Sequence, residues 1–151
     1  MNGEDYTERL GVFHPLSPGL KAYIATIAKK TDYQKGEALF ITSENTFFPL
    51  VQNGKLQIIA LNIDTAHEIN IGTYRTKDFL YHLAKPVPAA GVELYIKFLE
   101  DSSVITISEK HFSNLMKLFT EAYLLNLNFT SFHFSTLFKL LHENTKTGKS
   151  I

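Results

Sequence analysis

Cysteine is missing altogether from this 151-residue chain. That excludes disulfide staples, thiolate metal ligands and thiol catalysis. Tryptophan is missing too, and so is any excess of charge: 15 Lys and Arg balance 15 Asp and Glu. Proteins that grip a nucleic-acid backbone gather positive charge on one face, and no Lys/Arg block stands out here. No apolar run reaches the ~18 residues that a membrane span needs. The polar first nine residues lack the apolar core of a signal peptide. The cytoplasm is therefore the expected location. No Gly-x-Ser-x-Gly elbow and no Gly-rich phosphate loop occurs, so nucleophilic and nucleotide-hydrolysing chemistry lacks its usual motifs.

What the chain does have is the material for a core. Apolar residues make up 44%, with 12 Phe and 7 Tyr among them. The length suits one domain. Ser17-Pro18 opens the first clear element, with Ser as a cap and Pro in the first helical position. Leu20, Tyr23, Ile24 and Ile27 then share one face, which predicts a short amphipathic helix over residues 18–29.

Residues 31–107 read as short β runs punctuated by turn residues. Lys35-Gly36-Glu37 is a turn, and Ser43-Glu44-Asn45 is another. Asn53-Gly54 has the signature of a two-residue hairpin, since both residues tolerate a positive φ. Pro49 inside a strand-like run predicts an edge or a bulge. Many short strands at this spacing predict a closed roll or jelly roll. Ser108-Glu109 then marks the start of a helical region. Tyr123, Leu127, Thr130, Phe134, Leu137 and Leu141 follow 4-3-4-3-4 spacing, a heptad-like seam. Leu118, Leu125, Phe129, Phe132 and Phe138 lie largely off it. A helix that is apolar on two sides needs two covers. The roll supplies one, and a second copy of the chain is the expected other.

The order of elements resembles the sensor domain of the Crp/Fnr family of bacterial regulators. The pieces that carry the resemblance are Phe13-His14-Pro15-Leu16-Ser17, Lys35-Gly36-Glu37, Asn53-Gly54-Lys55, Lys77-Asp78-Phe79, Leu99-Glu100-Asp101-Ser102-Ser103-Val104 and Ile107-Ser108. The resemblance implies a mainly β fold with flanking helices: a double-stranded β-helix of the cyclic nucleotide-binding-like kind plus a long C-terminal helix. It places the domain at residues 13–142, with tails at 1–12 and 143–151. It also implies a homodimer, or pairing with a full-length regulator of the same family.

At the ligand site the chain departs from the family. Nucleotide-binding members carry Gly-Glu after the Asp-Phe pair, and an Arg followed by a small residue about ten positions later. A cyclic phosphate needs a cation and backbone N–H groups, and the ribose needs a carboxylate. Here the corresponding residues are Tyr81, His82, Val92 and Glu93. Losing one charge-assisted pair costs about 1.5–3 kcal/mol, or roughly one to two decades of affinity. The degenerate pocket is thus expected not to bind cAMP. Lys85 and Lys97 are expected in solvent.

The family's DNA-reading half would need a further ~70 residues carrying a helix-turn-helix. Only ten residues follow Leu141, so direct DNA binding is not expected. The expected function is a non-enzymatic regulatory or sensor module with no cofactor. The alternative is a cupin-like small-ligand-binding protein or metal-dependent enzyme in the same roll. Six His invite that alternative, namely His14, His67, His82, His111, His133 and His142. No two of them are closely spaced, so no metal site is expected.

Overall fold

The structure, a computed structural model, describes residues 3–41, 46–80 and 91–146. Four helices and seven strands lie among the described residues. They are α1 (Gly3–Leu10), α2 (Pro18–Ile27), β1 (Lys29–Tyr33), β2 (Ala38–Phe40), β3 (Thr46–Asn53), β4 (Lys55–Asn62), β5 (Glu68–Arg75), β6 (Val92–Phe98), β7 (Ser102–Ser108), α3 (Glu109–Leu118) and α4 (Glu121–Lys146). The strands form two antiparallel sheets, ordered β1-β7-β3 and β2-β6-β4-β5. The expected mainly β roll with flanking helices is what the chain builds. No helix among the described residues is long and apolar enough to cross a membrane.

Two apolar cores flank the three-stranded sheet. Strand β7 serves both, because successive strand side chains point to opposite faces. Val104, opposite Val51, joins Leu56, Ile58, Leu80, Ile96 and Phe98 in the core between the sheets. Ile105, opposite Leu50, joins Tyr6, Leu10, Leu20, Ile24, Leu115 and Leu125 in the core under the helices. A slip of one residue in this register would exchange the two sets, so burial on both faces pins it.

Local capping behaves as the sequence predicts. Ser17 Oγ accepts from Leu20 N at 3.3 Å, and Ser108 Oγ accepts from His111 N at 3.3 Å. Pro49 sits on a strand at the end of its sheet, beside a register shift between Phe47 and Leu50. Helix α2 stops at Ile27, two residues early, because Lys29 begins β1 opposite Thr106.

Three expectations need correction. Residues 1–12 are not a tail: they contain α1, whose Tyr6 and Leu10 are fully buried. The Tyr6 hydroxyl donates to the Phe48 carbonyl at 2.8 Å. At the other end, α4 runs on to Lys146, past the expected boundary at 143. Finally, Asn53-Gly54 is not a hairpin turn. Strand β3 pairs with β7, whereas β4 pairs with β5 and β6. Gly54 is the corner where the chain leaves one sheet for the other. Its φ of +110 is one that only glycine adopts easily. Its N–H donates to Thr76 Oγ1 at 3.0 Å, and its carbonyl accepts from Thr76 N at 3.1 Å.

Candidate functional site

The Asp78-Phe79 pair of the resemblance has a structural task. Asp78 Oδ2 accepts from Arg75 N at 2.8 Å, and Asp78 N donates to the Arg75 carbonyl at 2.9 Å. This closes a tight turn after β5, with Lys77 at φ +80. The next residues run along β3. Lys77 N donates to Val51 O at 2.7 Å, Val51 N to Asp78 O at 2.8 Å and Leu80 N to Pro49 O at 2.8 Å. Phe79 then enters the core under the helices, and Leu80 enters the core between the sheets. Tyr81, His82 and Lys85 lie outside the described residues.

The chain re-enters at Gly91 (φ +81), whose carbonyl accepts from Ile63 N at 2.9 Å. Val92 pairs with Asn62, and Glu93 with Leu61. Alternation along β6 separates the two side chains. Val92 shares its face with Ile96 and Phe98, both in the inter-sheet core, so it looks into the roll and is 36% exposed. Glu93 lies on the opposite face. The structure thus puts Val92 at the mouth of the roll and does not bring Glu93 to the same place.

A carboxylate that the sequence reading missed stands nearby. Asp64 Oδ2 lies 3.5 Å from where a Cβ would stand on Gly91. The β4–β5 turn carries it there: Asn62 Oδ1 accepts from Asp64 N at 3.0 Å and from Thr65 N at 3.2 Å. Only the long-range pairing of β4 with β6 brings Asp64 next to Gly91, so no local sequence signal marks it. Lys97 is exposed, as expected. Among the described residues, no three His, Cys, Asp or Glu side chains converge as a metal would require.

The outer face of the four-stranded sheet holds one strong polar contact. Tyr95 Oη donates to Glu68 Oε1 at 2.6 Å, beside the tilted ring of Phe40. Chiefly this hydrogen bond, then burial and the Glu68 charge, push the Tyr95 hydroxyl up to about 12. The folded value lies above the unfolded one of about 10. The stability this contact gives is therefore whole below pH ~10 and is lost as pH rises towards ~12. In an ultraviolet titration of tyrosinate, Glu68→Gln is expected to lower the ionisation of one tyrosine and to shrink the loss of stability over that pH range. An unchanged titration would contradict the contact.

Along α4 one side meets the roll, while the exposed apolar residues include Leu124 and Phe132 as well as members of the seam. Ala122 and Leu125 are buried and Phe129 packs on the core under the helices. On the seam, Tyr123 and Leu127 are 59% and 60% exposed, and Thr130 is exposed as well. The side chains of Phe134, Leu137 and Leu141 lie outside the described set.

No protein-family model matches the sequence, and no curated protein sequence does. Solved structures do match in shape. One is a protein from Eubacterium rectale ATCC 33656 described as a transcriptional regulator of the Crp/Fnr family. The TM-score is 0.64 at 18% identity, over 90% of this chain and 63% of that one. The catabolite activator protein of Thermus thermophilus gives 0.63 at 14% identity, over 93% and 63%. Oxidised CprK in complex with o-chlorophenolacetic acid gives 0.59 at 16% identity, over 84% and 51%. The chain spans about half to two thirds of these three structures. Over most of its length it has the fold of the effector domains of Crp/Fnr-family regulators.

Proposed function

We propose that this chain is a non-enzymatic, cytoplasmic regulatory or sensor module of the Crp/Fnr type. Its roll does not take up cAMP. The observation that carries the reading is the start of β6. Where a phosphate-binding arginine would face the roll, Val92 does so instead, and the Asp64 carboxylate stands beside Gly91. An aliphatic side chain offers a phosphodiester no hydrogen bond, and a carboxylate repels it. Calorimetry on the purified chain is expected to register no uptake of cAMP or cGMP at micromolar concentration. Saturable micromolar binding would overturn the reading.

The module would act through its long helix. The exposed seam of Tyr123, Leu127 and Thr130 supports a homodimer, with Phe134, Leu137 and Leu141 continuing the same spacing. A full-length regulator presenting a like helix would be the alternative partner, and the two would then form a heterodimer.

A further inference from the structure

Among the described residues, three other than glycine have a positive φ: Phe48, Ala66 and Lys77. Ala66 and Lys77 lie in turns. Phe48 lies inside β3, directly before a proline, with φ +49. A bulky residue avoids that region, and the position before proline favours extended backbone. Such a conformation persists only where its surroundings over-determine it.

Those surroundings come from three helices. The Tyr6 hydroxyl of α1 holds the Phe48 carbonyl. The Phe48 ring lies 5.7 Å from that of Phe112 on α3 and 5.0 Å from that of Phe129 on α4, both edge-on. Phe129 also meets Phe79 edge-on at 5.3 Å and Phe13 at 5.0 Å. One side chain of α4 therefore touches both Phe48 in β3 and Phe79 in the segment paired with β3. Residues 13–17, which the resemblance singled out, fasten that helix. Asn128 Nδ2 donates to the Phe13 carbonyl at 2.7 Å. The Glu121 carboxylate accepts from Ser17 Oγ and, at 3.3 Å, from Ser17 N.

We propose that Phe48 is a conformational relay between α4 and residues 77–80. With Phe129 seated, Phe48 keeps its left-handed backbone, and the Pro49 carbonyl meets Leu80 N. With α4 displaced, Phe48 relaxes to extended backbone, the bulge between Phe47 and Leu50 is lost, and the pairing with residues 77–80 loosens. A two-state element biased from both ends is what physical coupling between sites requires. The inference does not depend on which ligand the roll takes or whether it takes one.

Amide hydrogen exchange on the full chain tests it. The amides of Val51, Lys77 and Leu80 report the pairing, and Leu99 N, bonded to the Lys55 carbonyl at 2.9 Å, is the reference. Phe129→Leu is expected to speed the three reporters by about tenfold more than the reference, as a local opening does. Asn128→Ala removes only the fastening to Phe13, so it serves if the first variant does not fold. It should give the same pattern with smaller amplitude. Leu115→Val, in the same core but on α3, is the control and should speed all four amides together. Uniform exchange in the α4 variants would overturn the relay. So would the selective pattern appearing in the control.

Discussion

Gly54→Ala is expected to lower the unfolding free energy by about 3–5 kcal/mol, combining backbone strain with overpacking. The φ of +110 at this corner is hostile to any residue with a Cβ. A Cβ there would also meet Ser102 Oγ, the Ser102 Cβ at 2.7 Å and the Asp101 carbonyl at 2.8 Å. The carbonyl is backbone and cannot swing aside. Ser102 is buried, and its hydroxyl already donates to the Glu100 carbonyl at 2.8 Å and accepts from Lys55 N at 3.3 Å. Gly36→Ala is the matched comparison. It has a φ of +91, but a Cβ there meets nothing within 4 Å. Strain alone should cost it about 1–2 kcal/mol. Urea unfolding of the two variants separates the terms. Equal losses would show that the β6–β7 turn does not press on the corner.

Leu127→Asp is expected to convert a dimer into a monomer, weakening self-association by at least about 100-fold, which corresponds to roughly 2.7 kcal/mol. In a two-fold assembly each substitution appears twice. Two carboxylates would then face an apolar seam with no cation to pair them. The fold itself should survive, because Leu127 is 60% exposed within one chain. Ser135→Asp, at an exposed position on the side of the helix turned away from the seam, should leave association intact. Sedimentation velocity across the micromolar range decides the matter. A wild-type chain that sediments as a monomer throughout would remove the basis of the dimer reading. Equal loss in both variants would move the interface off the seam.

What could be read from sequence follows the range of the interaction responsible. The caps at Ser17 and Ser108 were legible because each needs only a hydroxyl and an N–H three residues on. Pro49 was legible because a proline disturbs its own strand. Asn53-Gly54 misled for the opposite reason. A hairpin and a corner both require a positive φ, and only the pairing of β3 with β7, some fifty residues later, separates them. Helix α1 was missed because Tyr6 and Leu10 are two apolar residues in a polar stretch, too few to form a periodic pattern. Their burial depends on α2, the helix they chiefly pack with, and on the shared core beyond it. At the candidate site, the motif located Val92, but the face it occupies follows from the register of β6 on β4. That same register sends Glu93 to the far side and carries Asp64 to Gly91. Spacing sorted only part of α4: Tyr123, Leu127 and Thr130 are left outside and Leu125 and Phe129 turn inward, but Leu124 and the off-seam Phe132 are exposed too, because the roll covers a narrow stripe of the helix.

Tyr6 reaches a carbonyl 42 residues downstream and shares its core with Ile105, Leu115 and Leu125. The principal partner of α1, though, is α2, the next element in the chain. The two helices can therefore pair as soon as both have left the ribosome, while the hydroxyl contact to Phe48 has to wait for β3, because contacts of longer sequence separation form later.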